Sequence, residues 1–185
     1  MTVEGDCMQR KLLGVCFALA FLAGCDQGEP KEVEVKLQNA TGDEVGKATL
    51  SEQPGGLQIK ITAKGFKPGP HGFHIHEVGV CKAPDFASSG NHFNPEGKEH
   101  GLLNQNGAEN GDLPNLIADD KGEIKAEIMA PNASLKEGKS TLRRKDGAAL
   151  IITENADDGM TQPTGKSGKR LACGVIVKRS AETKE

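Results

Sequence analysis

From residue 33 the chain alternates apolar and polar positions with a period of two. Val33, Val35 and Leu37 are separated by charged side chains, and the alternation resumes from Val45 to Leu50 and from Leu57 to Ile61. Residues two apart share one face of a strand, so each run predicts a strand with one face in a core and the other in water. Thr41-Gly42-Asp43 and Gln53-Pro54-Gly55-Gly56 fall between these runs and predict hairpin turns. The run His71-Gly72-Phe73-His74-Ile75-His76 predicts another strand, followed by Asn115 to Ala118, a turn at Asp120-Lys121-Gly122, Glu123 to Met129, Ala148 to Thr153, and Leu171 to Val177. No stretch carries the 3.6-residue period of an amphipathic helix. About eight short strands without such a helix predict an all-β domain: an eight-stranded antiparallel Greek-key β-sandwich or flattened barrel. The sequence has six Phe, no Trp and no Tyr, so its core must be built from Val, Ile, Leu, Ala and Phe.

The first thirty residues follow a different pattern. Arg10 and Lys11 precede an apolar run, Leu12 to Ala23, which is too short to span a bilayer and has the size of a signal-peptide core. It ends in Leu22-Ala23-Gly24-Cys25, which resembles the lipobox of bacterial lipoproteins. That resemblance implies a signal peptide over residues 1–24, a lipidated mature N-terminus at Cys25, and export to the membrane of the cell envelope. Met8-Gln9-Arg10-Lys11 is a more usual opening for such a signal than Met1, so either methionine can mark the start. Residues 25–31 are polar around Gly28 and Pro30 and read as a tether, leaving residues 32–185 as one domain. The net charge of −3 gives no reason to expect nucleic acid as a partner.

All five histidines fall between residues 71 and 100. His74 and His76 share a strand face while Phe73 and Ile75 share the other. A bare pair of this kind is weak evidence for a metal, but His92, His100 and Asp112 follow in a Gly- and Asn-rich segment unsuited to regular structure. A loop of about thirty residues between strands is unusual unless it is functional, and bound copper or zinc is one way to order it. Of the five cysteines, Cys7 and Cys16 lie in the leader and Cys25 is the lipid site, which leaves Cys81 in the loop and Cys173 in the last strand. In an exported protein such a pair reads as a disulfide. Closing a loop of that length contributes about 4–5 kcal/mol in the chain-entropy account, and here it would pin the metal loop to the barrel.

The segments HGFHIHE, GNHFNP, KEHG, GDLPN, ADD and RLACGVI, in this order, resemble the copper/zinc superoxide dismutases over residues 32 to 178. The resemblance implies dismutation of superoxide to oxygen and hydrogen peroxide with copper and zinc as cofactors, and it is compatible with a homodimer. Carried across by position, His74, His76 and His92 match copper ligands, with His92 bridging to zinc, and His100 and Asp112 match zinc ligands. Asp157 matches the carboxylate linking a copper histidine to a zinc histidine, Arg170 the arginine that attracts superoxide, and Cys81 with Cys173 the family disulfide. His71 matches a histidine that is not a ligand.

Two positions depart from the family pattern. Thr153 stands where the fourth copper histidine is expected, and Glu109 where a zinc histidine is expected. The copper set is then three imidazoles, while zinc can still have four ligands in His92, His100, Glu109 and Asp112, because carboxylate oxygen is an acceptable zinc ligand. The leading expectation is an envelope-anchored superoxide dismutase, with turnover lowered by the missing imidazole. A non-catalytic copper- or zinc-binding protein for storage or delivery is the second, and a structural module with vestigial ligands the third.

Overall fold

The computed structural model describes residues 32–177; Cys7, Cys16, Cys25 and the leader and tether assigned above lie outside the described residues. Eight strands run β1 (Glu32–Asn39), β2 (Glu44–Gln53), β3 (Gly56–Lys64), β4 (Gly69–His76), β5 (Asp112–Ala118), β6 (Glu123–Ala130), β7 (Ala148–Thr153) and β8 (Arg170–Ile176). They close into an antiparallel barrel in the order β1-β2-β3-β6-β5-β4-β7-β8. Among the described residues no helix is long and apolar enough to cross a membrane.

Two seams are narrow. β5 meets β6 only at Ala118 and Ile124, and β8 meets β1 only at Gln38–Cys173 and Asn39–Ala172. The barrel is therefore flattened into two sheets, β1-β2-β3-β6 and β5-β4-β7-β8. The sheets differ in what covers their outer faces. In β3, Leu57, Ile59, Ile61 and Ala63 are buried, while the positions between them face outward, which is the alternation of a half-solvated sheet. Every residue of β7 is buried, as its uninterrupted apolar run Ala-Ala-Leu-Ile-Ile demands. Leu150 and Ile152 enter the main core; Ala149 and Ile151 face outward and pack with Phe86 and Cys173 under the long loop.

That loop is held at the β8–β1 seam. Cys81 and Cys173 form a disulfide across 92 residues of sequence, and Gln38 Nε2 donates to the Cys81 carbonyl at 2.9 Å. β2 runs on to Gln53 and β3 to Lys64, past the Leu50 and Ile61 of the sequence reading, and one further boundary bears on the site. β5 begins at Asp112, not Asn115, because Asp112 and Leu113 pair with His74 and Phe73 of β4 despite the neighbouring Gly111 and Pro114. The pairing has a consequence for the site, because it sets Asp112 directly beside His74.

Candidate metal centre

β4 divides its side chains as its alternation requires: Phe73 and Ile75 are fully buried in the core, and His74 and His76 project outward beneath the loops. His92 is brought to them by a short length of chain lying against the end of β4. The Glu77 N–H donates to the Asn91 carbonyl at 3.0 Å and the Phe93 N–H to the Ile75 carbonyl at 2.8 Å, while Phe93 itself is buried in the core. The His74 and His92 rings stack with centroids 4.1 Å apart, and those of His76 and His92 lie 5.0 Å apart. One potential donor atom from each of the three lies within 4.8 Å of the others.

The hydrogen bonds fix which ring nitrogens are free. His74 Nε2 lies 2.6 Å from Asp157 Oδ2, so it carries the proton, and Nδ1 is left buried with no hydrogen-bond partner. His76 Nδ1 donates to the Gly90 carbonyl at 3.0 Å, which leaves its Nε2 lone pair available. Burial, with the neighbouring His92 and Arg170 charges adding to it, pushes the His76 pKa down to about 2. Burial likewise lowers that of His74, against the opposing pull of Asp157. Both imidazoles are therefore neutral at physiological pH, the form that ligates metals. An orphaned buried nitrogen would ordinarily cost about 1–3 kcal/mol, and a metal ion satisfies it. The donor set fits copper, for which imidazole is a suitable ligand.

On the other side of His92 the donors change character. His92 Nδ1 lies 2.9 Å from Glu109 Oε2 and 3.0 Å from Asp112 Oδ1; His100 Nδ1 lies 3.4 Å and 2.9 Å from the same two oxygens. Both carboxylates are aimed by bonds to their second oxygens. Asp112 Oδ2 accepts from the Gly101 and Glu109 N–H groups at 2.7 and 3.0 Å, and Glu109 Oε1 accepts from Asn94 Nδ2 at 2.9 Å. Glu109, with 14% of its side chain exposed, is thus directed at the two imidazoles. Burial opposes charge on His100, but its hydrogen bonds to Asp112, Asp157 and Glu109 outweigh it and lift its pKa to about 11. His92 is raised for the same kind of reason, and Asp112 and Asp157 are held well below the usual carboxylate range by their bonds to the histidines, in spite of burial. Two nitrogens and two carboxylate oxygens in one nest suit zinc.

Asp157 joins the two halves, with its carboxylate 2.6 Å from His74 Nε2 and about 3.1 Å from His100 Nε2. Arg170 stands at the side of His76. Its guanidinium donates to the Phe86 and Gly90 carbonyls and to Ser89 Oγ, and the Gly90 carbonyl also accepts from His76. Thr153 ends β7 beside the His74 ring and is buried. Its hydroxyl donates to the Asn155 carbonyl at 3.2 Å, and its carbonyl accepts from His71 Nδ1 at 2.8 Å. Only glycine fits at position 72 against this pair, since a Cβ there would collide with Thr153 Oγ1 and press on His74 Cε1. His71 spans two carbonyls, those of Thr153 and Lys67, and lies outside the donor groups.

All the candidate residues within residues 32–177 therefore meet in one place or form the disulfide beside it. Sequence reasoning missed the groups that aim them, such as Asn94 on Glu109 and Ser89 beside Arg170. A family model described as copper/zinc superoxide dismutase (SODC) matches residues 44–176. The chain belongs to the copper/zinc superoxide dismutase family, whose cofactors are copper and zinc. It is 43% identical over 169 residues to superoxide dismutase [Cu-Zn] 2 of Aquifex aeolicus, covering 90% of this chain and 99% of that protein. It is 41% identical over 190 residues to a superoxide dismutase-like protein of Bacillus subtilis, covering 92% and 97%. A solved double mutant of a SOD-like protein from Bacillus subtilis superposes with a TM-score of 0.76 at 46% identity, covering 78% of this chain and 96% of that one. The Cu/Zn superoxide dismutase of Brucella abortus gives 0.66 at 32% identity, covering 78% and 99%.

Proposed function

We propose that this protein dismutes superoxide at the cell envelope, held to the membrane through a lipid on Cys25. His74, His76 and His92 hold copper; His92, His100, Glu109 and Asp112 hold zinc. When bound, copper supplies one-electron redox chemistry that converts superoxide to oxygen in one half of the cycle and to hydrogen peroxide in the other. The chain's own residues do the rest. Asp157 keeps the Nε2 protons of His74 and His100 in place, so that their Nδ1 atoms face the metals. Arg170 supplies a fixed positive charge beside His76 that draws the anion in. The observation that carries this reading is the unpartnered, fully buried Nδ1 of His74, stacked on His92 and in one donor group with His76 and His92.

With Thr153 in place of a fourth imidazole, turnover is lower than a four-histidine site would give. The same residue supports the second reading, a metal-binding protein that does not turn over. Charge attraction separates the two. Superoxide decay should slow as ionic strength rises, and Arg170→Gln should be slower than the parent and less sensitive to salt. A loaded parent that is inert, while still holding both metals, would favour the binding role.

A further inference from the structure

Asp157 lies in the segment between β7 and β8, and His100 lies in the long loop between β4 and β5. No strand pairing joins the two segments. One main-chain bond, from the Leu103 N–H to the Gly159 carbonyl at 3.0 Å, joins them, and side-chain amides add to it at the ligand itself. Gln162 reaches His100 entirely through its main chain: Oε1 accepts from the His100 N–H at 3.0 Å, and Nε2 donates to the His100 carbonyl at 2.8 Å. The same carbonyl accepts from Asn104 Nδ2 at 3.0 Å. Both polar groups of the His100 main chain are thus taken by side chains. Asn115 of β5 repeats the device on Asp157, donating from Nδ2 to its carbonyl and accepting at Oδ1 from its N–H, both at 2.9 Å. The two amides bracket the contact between Asp157 and His100. Gly165 closes over it, at φ +61°, where a Cβ would collide with Asp157 Oδ1.

We propose that Gln162 is a positioning residue of the metal centre, fixing the His100 main chain so that the ring is held between Asp157 on one side and Asp112 with Glu109 on the other. The reasoning is geometric. His100 Nδ1 lies 2.9 Å from Asp112 while Nε2 lies about 3.1 Å from Asp157, and the imidazole is rigid between them. Two torsions alone cannot keep both contacts once the main chain drifts, and a shift of about 1 Å is enough to lose alignment. Both ends of the amide are needed. Glutamate at position 162 would still accept from the N–H, but it would set an oxygen against the His100 carbonyl; alanine would leave the N–H unmatched and the carbonyl with Asn104 as its one remaining side-chain donor. The inference rests on the reading of His92, His100, Glu109 and Asp112 as the zinc ligands, and the test is built to separate the two.

Gln162→Ala and Gln162→Glu are compared with the parent in two measurements. In chelator-treated protein, imidazole nitrogen NMR should show the His100 Nε2–H exchanging at least about tenfold faster in both variants, with the amides of β1, β2 and β3 unchanged. Titration with cobalt(II) alone should show binding about 10–100-fold weaker than in the parent, with an altered visible absorption band, as expected when a partner that orients a ligand is lost. If Gln162→Ala does not fold, Gln162→Glu carries the same expectations. A parent that takes up no cobalt at these four residues overturns the zinc reading and this inference with it. A parent that binds cobalt, with variants matching it in affinity, spectrum and His100 proton exchange, overturns the inference alone.

Discussion

Thr153 spends its hydroxyl on the Asn155 carbonyl and lies beside the His74 ring, so the nitrogens that could hold copper in the proposed site are those of His74, His76 and His92. A neutral hydroxyl is a poor copper ligand beside imidazole. Thr153→His restores a fourth imidazole on a strand end already next to the site, and should raise copper retention and dismutation together. A gain of about tenfold corresponds to about 1.4 kcal/mol of transition-state stabilisation, a modest demand on a ligand. Stopped-flow superoxide decay at measured copper content checks it; tighter copper without a faster rate would show that the site lacks more than one ligand. Glu109 tests the other half. One of its oxygens is bound by Asn94 and the other faces both zinc-side imidazoles. Glu109→Gln removes the charge while nearly preserving shape, and should weaken zinc at least about tenfold in a competition titration. An unchanged affinity would make Glu109 an ordinary loop acid.

At the scale of elements, the site is two loops laid over one rigid sheet. The Cys81–Cys173 disulfide ties the long loop to β8 across 92 residues, worth about 4–5 kcal/mol by loop-closure entropy. Replacing both cysteines by Ser should speed hydrogen exchange in residues 77 to 92 far more than in β1, β2 and β3; uniform acceleration would contradict that division. The strands were legible because their patterns answer to what covers each face: Leu57, Ile59 and Ile61 alternate where water lies outside, and Ala148 to Ile152 run unbroken where loops cover them. Asp112 falls in the Gly- and Asn-rich stretch that reads as loop, and its pairing with His74 overrides that composition. The ligand candidates were legible by residue type and order. Asn94, Asn115 and Gln162 were not, because amides that grip a main chain or turn a carboxylate have no periodicity and no chemistry of their own to betray them.

For the whole molecule, buried charge sets a pH profile. In chelator-treated protein His74 and His76 have pKa values below their ordinary 6.5, so the stability they contribute is present above that pH and lost as pH falls. His100, raised to about 11, and His92, also raised, contribute stability that is present below 6.5 and lost as pH climbs toward their folded values. Asp112 and Asp157 add a further loss below about 3.8. The thermal midpoint should therefore peak near neutral pH and fall on both sides. Zinc loading should flatten the alkaline limb, because the ion takes the place of the protons between the imidazoles and the carboxylates. Scanning calorimetry from acid to alkaline pH checks this; a chelator-treated protein with no alkaline fall would contradict the charged state of His100. The anchor is tested at the same scale. Cys25→Ser should move the protein from the membrane fraction to the soluble one, and retention after a carbonate wash would sink the lipoprotein reading.

The most direct test of the central claim is to measure copper, zinc and superoxide decay on one purified sample as copper is added stepwise to the zinc-loaded protein. The rate should rise in proportion to copper bound at His74, His76 and His92, and it should disappear in His76→Ala while zinc remains bound. Full copper occupancy with superoxide decaying no faster than in the copper-free protein would contradict the account.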